Sequence, residues 1–165
     1  SEAAIATAEF YLANTPTDGI PYWDTGAPSL HKMGDYLNRP SDPFNEFEPV
    51  DSSAACITAQ GLIRIGNWLK NSDPARAEKY QKAAFQIAGA LFSEPYISTD
   101  TSHQGLILHS IYHEPNAWDY APKPGKVAHG ESSMWGDYHA RELALLLQRM
   151  MNKESYYSFL NCVPA

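Results

Sequence analysis

The run from Ala54 to Trp68 constrains the fold of this chain more than any other. Ala54, Ala55, Cys56, Ile57, Ala59, Leu62, Ile63, Ile65 and Trp68 leave little polar face on a helix built there. A helix that is apolar around most of its circumference is buried on several sides. The pattern predicts a helix from about Ser52 to Leu69, with Asp51, Ser52 and Ser53 offering N-cap oxygens to its free amides.

Three further helices are predicted around it. The first runs from about Glu2 to Asn14, with Ala3, Ala6, Phe10 and Ala13 on one face and Tyr11 beside it. Thr15-Pro16 and Asp18-Gly19 end it. The third runs from about Pro74 to Phe92, with Asp73 as N-cap and Pro74 at the first helical position. Its Glu78, Lys79 and Lys82 face water, and Tyr80, Ala84, Ile87, Ala88 and Leu91 face inward. The fourth runs from about Ser133 to Met151 and buries Leu143, Leu146, Leu147 and Met150. Tyr156 to Leu160 is expected to add a last turn.

Helices one and three read as half-exposed, and helices two and four as buried. Only the Asn71-Ser72-Asp73-Pro74 connection is tight. The connections before helices two and four are very long and carry Pro, Gly, Trp and His. Long loops in compact domains are usually functional or disordered, and these hold too many aromatics for simple disorder. Outer helix, long loop, inner helix is the unit of an α/α toroid, whose long loops gather at the inner-helix N-termini and shape a pocket. A plain helical array stays open as the alternative, and no strong internal repeat is visible.

The 165 residues, 44% hydrophobic and 19% charged, suit one globular domain over residues 1–165. A formal net charge of −7 repels phosphate backbones, so nucleic acid is not an expected partner. Neither a membrane surface nor a bilayer span is expected, because no apolar run reaches the roughly eighteen residues a span needs. Ser1 to Asn14 lacks the basic start and apolar block of a signal peptide. The compartment stays open between secreted or periplasmic and cytoplasmic. Of the two cysteines, Cys56 reads as a small core residue, and the pair does not fix the redox setting.

Four blocks then stand out. Asp18-Gly19-Ile20-Pro21-Tyr22-Trp23-Asp24 opens the first long loop, and Asp51-Ser52-Ser53-Ala54-Ala55 leads out of it into helix two. Gly105-Leu106-Ile107-Leu108-His109-Ser110-Ile111-Tyr112-His113 lies in the second long loop. Glu131-Ser132-Ser133-Met134-Trp135-Gly136-Asp137-Tyr138-His139 closes that loop into helix four. In this order the blocks resemble glycoside hydrolase family 88, the unsaturated glucuronyl hydrolases. The resemblance runs from helix one to about Leu147.

The resemblance implies an all-α fold, the (α/α)6 barrel of helical hairpins, of which four long helices make about a third. It implies removal of a 4,5-unsaturated uronic acid from an oligosaccharide left by a polysaccharide lyase. In the family an Asp protonates the double bond and helps water add, and the resulting hemiketal rearranges to break the glycosidic bond. That route differs from two-carboxylate displacement. It implies no metal and no organic cofactor, and a uronic-acid oligosaccharide as partner. The family's Asp pair and an Arg-Gly-Gln-Ala-Trp-like block lie before the blocks found here, so no residue of this sequence takes the catalytic role. Trp118 to Lys126 does not align residue by residue with the family's loop for sulfated sugars, which leaves sulfation preference open. The alternative is a non-catalytic helical module for carbohydrate binding or assembly. Either way, self-association or a complementary N-terminal chain is expected to cover the open helix faces.

The candidate substrate contacts are Tyr22, Trp23, Asp24, Asp51, His109, Tyr112, His113, Trp135, Asp137 and Tyr138. Each has a structural reading beside the functional one. Asp51 caps a helix, Asp24 fits an Asx turn, and Trp135 fits a core plug. His109, Tyr112 and His113 lie on a strand-like run, where alternation puts His109, Ile111 and His113 on one face and Ser110 and Tyr112 on the other. Gly136 inside a helix costs about 1 kcal/mol relative to Ala and so signals close approach by a neighbouring helix or a ligand. His139 and Glu142 are spaced i, i+3, without a strong metal-ligand pattern around them.

Overall fold

The computed structural model describes residues 2–123 and 126–155. The long elements are α1 (Glu2–Ala13), α2 (Ser52–Leu69), α3 (Pro74–Leu91) and α4 (Met134–Met151). Short 3-10 turns lie at Leu30–Met33, Tyr36–Asn38 and Glu114–Asn116. Among the described residues extended pairing is limited to two isolated bridges, Tyr22 with Val50 and Ile97 with Ile107. The expected tail turn at Tyr156 to Leu160 lies outside the described residues.

The predicted ends hold to within a residue, and the caps explain why. Asp51 accepts from the Ser53 N–H at 2.9 Å, Asp73 from the Arg76 N–H at 3.0 Å and Ser133 Oγ from the Gly136 N–H at 3.0 Å. Each satisfies an amide that the first helical turn leaves free. Ser52 and Ser53 are the second and third residues of the cap sequence but do not cap. Ser52 Oγ donates to Leu108 O at 2.6 Å, and Ser53 Oγ donates to Asp51 at 2.6 Å.

Helices α2 and α3 form a tight hairpin. Tyr80, Ala84, Ile87, Ala88 and Leu91 are buried, as the amphipathic pattern requires. Gly66 of α2 lets the partner backbone in, since a methyl group there would sit 3.2 Å from Ala77 O. Cys56 is fully buried in the same core, and burial pushes its thiol up to about 12.

Helix α4 lies beside α2 and parallel to it. Gly136 near the start of α4 faces Ser53 near the start of α2, and Gln60 Nε2 donates to His139 O at 3.1 Å further along. Two parallel inner helices put both N-termini, and both long loops, at the same end.

Two expectations change. The packed side of α1 is Ile5, Ala8, Tyr11 and Leu12, whereas Ala3, Ala6, Phe10 and Ala13 are exposed. The reason is polar tethering. Glu9 accepts from Tyr80 Oη at 2.8 Å and pairs with Lys79, and Tyr11 Oη donates to Gly19 O at 2.8 Å. Helix α2 is also less enclosed than its composition suggests, with Ile57 47% and Trp68 61% exposed on one open side.

Gly136 does report a close approach, but the neighbour is a loop residue. A methyl group there would run into Ser110 Oγ and Ser133 Oγ. Gly136→Ala is therefore expected to destabilise the chain by about 1–3 kcal/mol in urea unfolding, because overpacking outweighs the gain in helix propensity. An unchanged or raised midpoint would remove the close-packing argument.

Candidate functional site

The site is built on one short strip of loop, Leu106 to Ile111, held at both ends by aspartates from the two inner helices. At one end Asp137, in the first turn of α4, accepts from the Leu106 N–H with both oxygens at 3.0 Å and from the Ile107 N–H at 3.1 Å. At the other end Asp51 accepts from the Ile111 N–H at 3.4 Å. Between them the Ser52 N–H donates to His109 O at 3.0 Å. The strip also leans on the segment before α4, where His109 N–H donates to Gly130 O and Ser110 N–H to Glu131 O. Burial raises the Asp51 carboxyl above its ordinary value, against the bonds from Ser53 and Ile111 that lower it.

The strip does not alternate as a strand does. His109 has φ +63°, in the left-handed region, and this turns the chain. Ile107, His109, Ser110 and Ile111 are all buried, while Tyr112 and His113 are exposed. His109 and His113 therefore do not share a face.

Beyond the strip the chain folds into an aromatic cluster. Tyr112 stacks on Trp118 at 5.4 Å and 27° and lies against Trp135 at 5.2 Å and 38°. His113 tilts over Trp118 at 5.1 Å. Tyr112 is 58% and Trp118 59% exposed. Asp119 fixes the turn that brings them together, accepting from the Tyr112 N–H at 2.6 Å and the His113 N–H at 2.8 Å. His113 Nδ1 accepts from the Asn116 N–H at 3.2 Å, which sets the ring's tautomer. Glu114, next in the chain, is raised by burial and then by the charges of Asp119 and Glu48.

The remaining candidates anchor loops or line other surfaces. Tyr22 is buried edge-to-face on Tyr36 at 5.6 Å. Trp23 Nε1 donates to the buried Glu48 at 2.7 Å, and Glu48 also accepts from the Ser29 N–H. Asp24 accepts from the Gly26 N–H at 2.6 Å, the Asx turn expected of it. Tyr138 is exposed on α4 and donates to Glu142 at 3.0 Å. His139 Nδ1 lies 3.3 Å from the same carboxylate. Among the described residues no group of three or more His, Cys, Asp or Glu could hold a metal.

The structure thus brings Tyr112, His113 and Trp135 together, and places Asp51 and Asp137 beneath them as clamps. Trp118 and Asp119 belong to the cluster, although neither is among the candidates read from the blocks. A Trp-Asp pair within a loop rich in aromatics is the only sequence signal that marks them. His109 faces a separate cleft with Phe44 and His129.

Parallel inner helices, an outer partner and long loops gathered at one end define a segment of a helical-hairpin toroid, the architecture of a class of sugar-processing enzymes. The relatives place it more narrowly. The unsaturated glucuronyl hydrolase of Bacillus sp. (strain GL1) is 32% identical over 148 residues, which cover 90% of this chain and 33% of that enzyme. The unsaturated glucuronyl hydrolase of Formosa agariphila is 30% identical over 91% of this chain and 31% of its own length. The crystal structure of the Bacillus sp. GL1 enzyme, described as responsible for the degradation of glycosaminoglycan, superposes with a TM-score of 0.66 at 29% identity. It covers 90% of this chain and 33% of that one. A mutant unsaturated glucuronyl hydrolase from Streptococcus agalactiae, at 22% identity and TM-score 0.60, shares the fold over 91% of this chain and 33% of its own. No family model matches the chain. Over about 90% of its length the chain is similar to unsaturated glucuronyl hydrolases, and it shares their α/α toroid fold. It spans about a third of the length of the relatives it matches.

Burial lowers the His109 imidazole from 6.5 to about 4, with the nearby His129 adding to the effect. Between those two values the unfolded chain takes up a proton that the folded chain refuses, so stability falls as pH drops from about 6.5 toward about 4. Asp51 works the other way at lower pH, since its folded carboxyl binds a proton earlier than the unfolded one. His109→Asn keeps a residue that tolerates positive φ and removes the titration. Urea midpoints measured across that window are expected to fall less steeply for the variant than for the parent chain, and parallel slopes would contradict the burial of a neutral imidazole.

Proposed function

We propose that this chain forms part of the sugar-binding wall of an enzyme that removes 4,5-unsaturated uronic acids from oligosaccharides left by polysaccharide lyases. The observation that carries the reading is the exposed Tyr112–Trp118–Trp135 cluster at the loop end of two parallel inner helices, in a chain at 32% and 30% identity to two unsaturated glucuronyl hydrolases. Stacked, half-open rings give flat apolar surfaces against which the C–H face of a pyranose packs. Tyr112, His113 and Trp135 are the residues proposed to touch sugar. Asp51, Asp137 and Asp119 hold them in place, with their oxygens engaged by loop amides. Tyr22, Trp23 and Asp24 support the first loop, and Tyr138 lies on the open side of α4.

One solved structure pairs a UGL variant with dGlcA-Glc-Rha-Glc, and an unsaturated uronyl end followed by uncharged sugars is the substrate class proposed here. The proton donor is assigned to the two thirds of such an enzyme that this chain does not match. Ile57 and Trp68 on α2 and Met134, Tyr138 and Leu145 on α4 are exposed, and their proposed cover is a complementary N-terminal chain, with self-association as the second route.

The test is a protein that joins this chain to the remaining hairpins, given a 4,5-unsaturated uronyl disaccharide. Absorbance of the double bond is expected to fall with time. Asp119→Ala in that protein is expected to raise KM about tenfold with kcat little changed, as for loss of binding that is uniform between ground and transition state. Unchanged absorbance with every lyase product tried would sink the reading.

A further inference from the structure

A second concave surface lies outside the aromatic cluster. The cleft, of about 420 Å³, runs between the first loop and the segment before α4, with Phe44, Leu108, His109, Tyr120, His129 and Glu131 on its walls. That volume lies within the roughly 300–1,000 Å³ of small-molecule sites. Phe44 is 62% and Tyr120 59% exposed, so two rings offer apolar faces to whatever enters. Phe44 is braced by the two imidazoles, edge-on to His109 at 5.2 Å and 90° and stacked on His129 at 6.0 Å and 27°.

His109 is the unusual member. It is 94% buried, being 6% exposed, and its Nδ1 has no hydrogen-bond partner among the described residues. A buried polar atom left unpaired forfeits its hydration without compensation. The residue also sits at φ +63°, held there by backbone bonds to Gly130 and Ser52. Strained backbone of this kind clusters at ligand sites, because the surrounding structure must hold it in place. His129 Nδ1 is engaged with Pro43 O at 2.9 Å, which makes it the donor and leaves Nε2 as an acceptor.

The lining also shows what the cleft does not take. Among the described residues no Lys or Arg is on its walls, and the charged group there is the Glu131 carboxylate. Lys126 is paired with Glu46 at 3.2 Å, and Lys123, which follows the wall residue Pro122, is not itself on the walls. A carboxylated or sulfated sugar finds no counter-charge on the walls themselves. A hydroxyl, which both donates and accepts, matches imidazole nitrogens, and a pyranose C–H face matches Phe44 and Tyr120.

From these features we infer that the cleft under Phe44 is a subsite for an uncharged pyranose unit, with His109 and His129 taking its hydroxyls and Phe44 its apolar face. The inference rests on the oligosaccharide reading above. It adds that a neutral sugar, separate from the unsaturated uronic acid, is recognised away from the Tyr112 cluster.

The test titrates the 165-residue chain with cellobiose, an uncharged disaccharide, and follows the imidazole nitrogens of His109 and His129 by NMR. Both are expected to shift in a saturable way, and glucuronic acid at equal concentration is expected to leave them unmoved. Phe44→Ala, a change at an exposed ring, is expected to weaken cellobiose about tenfold. Phe85→Ala, at an exposed ring on the outer helix α3, is expected to leave it unchanged. Cellobiose shifts absent from both histidines, or equal shifts with glucuronic acid, would overturn the subsite. If hydrolysis of unsaturated disaccharides by the longer protein persists while these shifts fail, only the subsite falls. If hydrolysis fails while the shifts remain, the subsite stands and the enzymatic reading falls.

Discussion

The rest of the loop architecture depends on two carboxylates that accept hydrogen bonds from one strip of backbone. Asp137 takes the amides of Leu106 and Ile107, and Asp51 takes that of Ile111. Both aspartates stand at helix N-termini, where unpaired amides and the helix dipole favour negative charge. A charged acceptor makes a stronger bond than a neutral one. The strip therefore has the same mechanical footing as the helices that carry it. Everything beyond it, including the Tyr112 cluster and the cleft under Phe44, inherits that position.

This division of labour separates the groups that fix geometry from the surfaces left open. The groups that fix geometry are polar and engaged by backbone: Asp51, Asp119, Asp137 and Glu48. The groups free to meet a ligand are aromatic and half-open: Tyr112, Trp118, Tyr120 and Phe44. A carboxylate that already accepts two or three amide bonds has little left to offer a sugar hydroxyl. An aromatic face remains available however firmly its backbone is held.

Much of the helical frame was legible in the sequence because local chemistry decides it. Asp73-Pro74 begins α3, and the spacing of Tyr80, Ala84, Ile87 and Leu91 fixes its buried face. The face of α1 was not legible, because Glu9 and Tyr11 turn it through contacts with Tyr80 and Gly19, far away in the chain. The strip at His109 failed for a different reason. Apolar alternation implies a strand, but one residue at positive φ removes the alternation, and nothing in the sequence announces it. Of the aromatic cluster, the blocks carrying Tyr112, His113 and Trp135 stand out in the sequence, though not that their rings meet. The roles of Asp119 and Phe44 depend on how loops cross, which no local pattern encodes.

The clamped strip has a consequence for how such a protein can diversify. Without it, the stretch from Phe92 to Ser133 would be one long closure between α3 and α4. Fixing Leu106 to Ile111 on both inner helices breaks that span into two shorter loops, each closed on a rigid base. Lengthening a loop costs little once its ends are held, since the entropic cost grows only with the logarithm of length. The segment from Glu114 to Glu131 can thus gain, lose or exchange residues while the helices stay in register. Natural variation among relatives is free to rewrite the rim and leave the helices beneath it untouched.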